Sequence, residues 1–103
     1  MLARSFSMTS LGQIQRTLAS RKSELANNFH VKSLAVFGSY ARDEQRHDSD
    51  VDILVEFDTA VGVEFIDLAN YLEDLLRIRV DLVSRNGIKP KYFREIQADL
   101  KYV

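Results

Sequence analysis

Two aspartates separated by a single valine, Asp50-Val51-Asp52, open a largely apolar run that reaches Phe57. On an extended strand both side chains project from one face, with Cα atoms roughly 6.6 Å apart. Two carboxylates about 4 Å apart repel by on the order of 4 kcal/mol at an effective dielectric near 20. A fold keeps such a pair when one group is protonated or when a cation lies between them. The 103-residue chain has no cysteine, so thiolate ligands are excluded and oxygen ligands remain. The cation that suits them is Mg²⁺ or Mn²⁺, which also retains waters and phosphate oxygens in its shell.

Asp81, inside Val80-Asp81-Leu82-Val83, is the candidate third carboxylate. If its strand neighbours the 50–57 strand, it shares the face of Asp50 and Asp52. A slip of one residue sends it to the other side, and the sequence leaves that register open. The alternative is a charge on the solvent face of an edge strand.

Gly38-Ser39 supplies the other half of the constellation. A strand that ends in Gly-Ser and enters a helical turn presents free backbone N–H groups and a hydroxyl to one spot, which makes an anion pocket. Alone, a Gly-Ser pair is usually a turn. Here Asp-x-Asp follows after ten residues, in GSYARDEQRHDSDVD (38–52). From average residue usage that combination arises on the order of once in a thousand chains of this length, so the combination carries the signal. Arg42, one turn past Ser39, either reaches a phosphate or is a surface arginine. Glu44 belongs to the polar wall or to nothing, and His47 reads as solvated. Tyr40, Tyr71, Tyr92 and Tyr102 read as packing or partner-contact residues rather than as base stackers.

The elements that position these groups follow from periodicity. Leu11, Ile14, Leu18, Leu25 and Phe29 recur at helical spacing after an N-cap at Thr9 or Ser10, and residues 1–8 read as frayed. Ser33–Phe37 reads as a buried strand stopped by Gly38. Asp50–Phe57 is a second strand, with Val51, Ile53, Val55 and Phe57 on one face and Asp50, Asp52, Leu54 and Glu56 on the other. Between Val63 and Ile78, Phe65, Leu68, Ala69, Leu72, Leu75 and Leu76 form the apolar stripe of a helix. Arg79–Ser84 is a third strand, and Asn86-Gly87 a turn. Pro90 opens a last helix with Phe93, Ile96, Leu100 and Val103 inward. The order predicts a single α/β domain over 1–103, a small sheet covered by helices.

Composition narrows the class. With 46% hydrophobic residues the chain has room for one core. It has neither the apolar stretch of a signal peptide nor a run of membrane-spanning length, so a cytoplasmic protein is expected. Net charge is −1, which argues against general nucleic-acid binding. The distribution is uneven. Residues 43–76 hold eleven acids and one arginine, between segments with six and seven Lys/Arg against one and three acids. An acidic middle between basic ends fits a cation-binding centre with surroundings suited to phosphates or an acidic partner.

Gly-Ser, ten residues, Asp-x-Asp and a later strand aspartate make the chain resemble the polymerase-β-like nucleotidyltransferase superfamily. More narrowly, GSYARDEQRHDSDVDILVEF resembles the minimal nucleotidyltransferases (MNT), the antitoxins of HEPN/MNT toxin–antitoxin pairs. The resemblance covers essentially the whole chain and implies the nucleotidyltransferase fold, a small mixed sheet flanked by helices. It further implies that Gly38, Ser39 and Arg42 bind the phosphates of ATP. Asp50, Asp52 and Asp81 would be the catalytic residues and the ligands of two Mg²⁺ ions, with Asp81 alternatively the base for the incoming hydroxyl. The implied reaction is transfer of AMP to a hydroxyl, a tyrosine of a cognate HEPN ribonuclease, which is thereby neutralised. A non-catalytic antitoxin acting by steric cover, and transfer to a small molecule, are the alternatives. Members commonly carry glycine after Ala-Arg, where this chain has Asp43.

Overall fold

The structure is a computed structural model that describes residues 9–103; the stretch read as frayed, 1–8, lies outside the described residues. Ser10 starts helix α1 (Leu11–Ala19) with a reciprocal capping box. Its hydroxyl accepts from the Gln13 N–H at 3.2 Å, and the Gln13 side chain accepts from the Ser10 N–H at 2.8 Å. The spacing from Leu11 to Phe29 predicts one helix, but the chain breaks and resumes as α2 (Lys22–Phe29). At the break the Ser20 hydroxyl donates to the Thr17 carbonyl at 2.6 Å, and Arg21 leaves helical geometry at ψ 12°. Leu18 and Leu25 stay buried on either side, so apolar spacing alone does not reveal the interruption.

His30, at φ 59°, turns the chain into strand β1 (Val31–Phe37), which runs directly into a single helical turn, α3 (Gly38–Ala41). Strand β2 (Val51–Phe57) follows, then α4 (Glu64–Leu76), β3 (Val80–Ser84), α5 (Pro90–Ile96), a 3₁₀ turn (Gln97–Asp99) and β4 (Lys101–Tyr102). The sheet order is β3-β2-β1-β4, with β1 antiparallel to β2 and β4 and β2 parallel to β3. The helix α4 crossover makes the parallel pair possible. This is the mixed α+β sheet that the sequence predicts.

The sheet has two unlike faces. Val51, Ile53 and Val55 are fully buried against Ile14, Leu18 and Leu25 of α1 and α2 and Leu68 and Leu72 of α4. On the other face Phe37, Leu54 and Ile96 form a smaller cluster with Val83, Ile88, Phe93 and Leu100. Three helices seal the first face; α5 lies on the second. Among the described residues no helix is long and apolar enough to cross a membrane.

The C-terminus departs from expectation. The last helix stops at Ile96, and Leu100 (ψ 123°) turns the backbone into an extended strand. Lys101 and Tyr102 pair with Val36 and Ala35, and the Val103 N–H donates to the Leu34 carbonyl at 3.0 Å. Leu100 and Val103 do pack inward, on opposite faces of the sheet. The edge of β1 offered unpaired backbone groups, and satisfying them outweighed continuing the helix.

Among the described residues three non-glycine positions have left-handed backbone: His30, Asp43 (φ 58°) and Arg77 (φ 61°), the last ending α4 with its N–H on the Glu73 carbonyl. That conformation costs roughly 1–2 kcal/mol for an ordinary residue and less for aspartate. Asp43 therefore takes a backbone path that a glycine would also take. Arg77→Gly should raise unfolding free energy by about 1 kcal/mol, and Asp43→Gly by a smaller amount. Urea denaturation reads both, and a loss of stability in both variants would contradict the assignment.

Candidate active site

Phe37 and Asp52 are cross-strand partners in the β1–β2 ladder, and Asp52 and Asp81 are partners in the β2–β3 ladder. Residues opposite one another share a face. Phe37, Asp52, Leu54, Asp81 and Val83 therefore line the second face, the one carrying α5. The register left open by the sequence is the one that brings Asp81 beside Asp52. The edge-strand alternative is also true in part, since β3 is an edge of the sheet and Asp81 is exposed.

Gly38 meets this pair from β1. Its φ is +74°, the left-handed region that glycine adopts freely, and a Cβ there would overlap the Asp52 carboxylate, with Cγ 3.0 Å away. Glycine is thus required twice, by backbone conformation and by space. From Gly38 the chain enters α3, whose N-cap, Phe37, has no side-chain hydrogen bond to offer. In so short a turn the leading N–H groups have no helical acceptor. Ser39 stands beside them, half-buried.

Asp52 is half-buried, and burial is the main reason its carboxyl is pushed up to about 6. The Asp81 carboxylate adds to the shift through its charge and a shared hydrogen bond, and Asp50 through its charge, while Arg42 opposes it. Asp50 lies one residue before β2, exposed, with Oδ1 3.3 Å from Nε of Arg79. Arg42 is held from two sides, by Glu44 at 3.0 Å and by Asp99 of the 3₁₀ turn at 2.6 Å. His47 is exposed, as expected, and Tyr40 is buried in the core.

The fold thus assembles two of the three acids directly and keeps Asp50 on an arginine. Among the described residues no three His, Cys, Asp or Glu side chains cluster tightly enough to cage an ion. The pair nonetheless fits a hard divalent cation in its chemistry. It offers adjacent carboxylate oxygens, and their mutual repulsion, recorded in the raised Asp52, is what a cation relieves. Two partners escaped sequence reasoning, Asp99 for Arg42 and Arg79 for Asp50. Asp99 sits in a segment whose spacing reads as helix. Arg79 was legible only as the charged first residue of a strand.

Because the folded value of Asp52 lies above its ordinary 3.8, the fold favours the protonated form. Without divalent ions, this group lowers stability as pH rises from about 4 through about 6, and the loss persists above. Asp52→Asn should therefore melt above wild type at pH 7–8 in chelator, with the gap closing toward pH 4. A gap independent of pH would show that Asp52 is not strained. Gly38→Ala should be destabilised by about 1–3 kcal/mol. Pairing it with Asp52→Gly should recover part of that loss in thermal melts.

The family model of the nucleotidyltransferase domain matches residues 16–103. The protein adenylyltransferase MntA of Thermococcus cleftensis is 42% identical over 97 residues, which cover 93% of this chain and 98% of that protein. A crystal structure of a toxin–antitoxin with AMP-PNP superposes with a TM-score of 0.67 at 26% identity, covering 81% of this chain and 69% of that one. The MNT antitoxin complex with a tri-AMPylated HEPN toxin from Shewanella oneidensis shares the fold, with a TM-score of 0.61 at 23% identity and coverage of 85% and 70%. The paired strand carboxylates, the glycine that admits one of them and a family match over most of the chain lead to one assignment: the chain belongs to the nucleotidyltransferase domain family and is a nucleotidyltransferase.

Proposed function

We propose that the chain is an Mg²⁺-dependent antitoxin that transfers AMP from ATP to a tyrosine hydroxyl of a HEPN ribonuclease. The observation that carries this is the Asp52–Asp81 pair set against Gly38 at the entrance to α3. A module acting by steric cover has no physical need for like charges on adjacent strands. The name of the Thermococcus relative and the nucleotide and HEPN partners of the structural neighbours support the same reading.

In this reading Gly38 lets phosphate oxygens approach the backbone, and Ser39 adds a hydroxyl donor. Arg42 contributes positive charge at the same end, with Glu44 and Asp99 holding its guanidinium in place. Asp52 and Asp81 would hold the metal, joined by Asp50 once it leaves Arg79. Bound Mg²⁺ would neutralise charge on the transferring and leaving phosphate oxygens. The acceptor oxygen forms a bond to the α-phosphorus as the bond to pyrophosphate breaks, and Asp81 takes the hydroxyl proton. Asp81 suits that role because it is exposed on an edge strand, open to an incoming side chain. Positioning and charge neutralisation supply the catalysis.

Purified protein incubated with labelled ATP, Mg²⁺ and a HEPN ribonuclease partner should label that partner. Asp52→Asn should reduce the rate by ~10²-fold or more, since losing a metal ligand removes several kcal/mol of transition-state stabilisation. In cells, Asp50→Asn/Asp52→Asn should fail to protect against the ribonuclease. Protection equal to wild type would establish steric inhibition in place of transfer.

A further inference from the structure

A triphosphate at Gly38-Ser39 would bring several negative charges to a face that already holds Asp52 and Asp81. Donors at that end therefore matter, and Arg42 already donates to Glu44 at 3.0 Å and to Asp99 at 2.6 Å. Tyr92 is placed to add one. It lies in the first turn of α5, on the sheet face that carries the acidic pair, and is 40% exposed. Its ring meets Phe37 at 80° with centroids 6.5 Å apart. Phe37 immediately precedes Gly38 and faces Asp52 across the ladder, so Tyr92 stands at the Gly38 end of the row Phe37–Asp52–Asp81. Burial raises its phenol above the usual range, and the charges of Asp52, Asp81 and Glu95 raise it further. Those carboxylates act through charge, without a hydrogen bond to the phenol, so the O–H is retained as a donor. Packing alone needs no hydroxyl: Phe93, the next residue, joins the Phe37 cluster with a bare ring.

We propose that the Tyr92 hydroxyl donates a hydrogen bond to the β- or γ-phosphate of the bound nucleotide, beside Gly38 and Ser39. This rests on the nucleotidyl-transfer reading. Pyrophosphate leaves from that end of the site, so the donor stays with the leaving group. A hydrogen bond to a charged phosphate oxygen is stronger than one between neutral groups. A neutral donor also leaves the acids free to hold a cation, whereas a lysine or arginine at this place would be drawn to them. The contact is with phosphate, so it strengthens binding of any nucleoside triphosphate and takes no part in choosing the base.

The test is equilibrium binding to the full chain with Mg²⁺, using AMP-PNP, GMP-PNP and inorganic tripolyphosphate as probes. Tyr92→Phe should weaken all three by about tenfold or more, the loss expected for a hydrogen bond to a charged group. Phenylalanine keeps the ring on Phe37, so the melting temperature of this variant should match wild type. Tyr92→Leu, which gives up the ring as well, should weaken all three by at least as much. The inference is overturned if Tyr92→Phe keeps its affinity for tripolyphosphate, or if the nucleotides alone weaken, which would mark a base or ribose contact. A Tyr92→Phe protein that melts well below wild type would show a structural hydroxyl and overturn it too. Wild-type failure to bind any probe, or binding indifferent to Asp52→Asn, would remove the nucleotidyl-transfer reading and this inference with it. If Asp52→Asn weakens binding and Tyr92→Phe does not, this inference alone fails.

Discussion

Asp52 and Asp81 are paired residues of adjacent parallel strands, so their backbones cannot separate without breaking the ladder that runs from Val51–Val80 to Val55–Ser84. That ladder is anchored by residues with no freedom of their own. Val51, Ile53 and Val55 are fully buried and interleave with the acids along β2, so slipping the strand by one position would expose them and bury Asp52 and Glu56. The core on one face thereby holds the repulsion on the other. Burying three β-branched side chains contributes roughly 1.5–3 kcal/mol each, enough to outweigh a strained pair of acids.

Gly38 extends the same constraint across the sheet. Asp52 occupies the space that a side chain at position 38 would need, and the backbone there has a conformation that suits glycine. The GS…DxD spacing is thus the trace of a cross-strand contact. Twelve residues lie between Gly38 and the start of β2, yet antiparallel pairing returns the chain so that Phe37 faces Asp52. The ten residues between Ser39 and Asp50 need only make that return, through the rest of α3 and a loop in which Asp43 takes the left-handed turn.

Much of this was legible in the residues. The period-two alternation from Val51 to Phe57 predicts both faces of β2, and the stripe from Phe65 to Leu76 predicts α4. What spacing could not carry were the features decided by non-local hydrogen bonds. The α1–α2 break preserves the helical phase of Leu18 and Leu25, so a periodic count passes through it. Strand β4 is too short to show alternation and exists because the edge of β1 accepts it. At the site, residue types marked Asp50, Asp52 and Asp81 as a set, whereas the β2–β3 register and the Asp50–Arg79 pair arise only when the strands are side by side.

The unequal covering of the sheet gives these details a direction. Helices α1, α2 and α4 close the face of Ile53, while the opposite face has α5 alone over Leu54 and Phe37, and Asp81 remains exposed beside it. A reactant can reach the acids only from that second face. Arg42 reaches Asp99 immediately after α5, so the C-terminal segment is tied to the same end of the site as Gly38. An exposed ion pair of this kind stabilises little by itself. Its effect is geometric: the guanidinium, the glycine and the acidic pair are held by four different elements, α3, the 3₁₀ turn, β2 and β3, and none can shift far without disturbing the sheet they share.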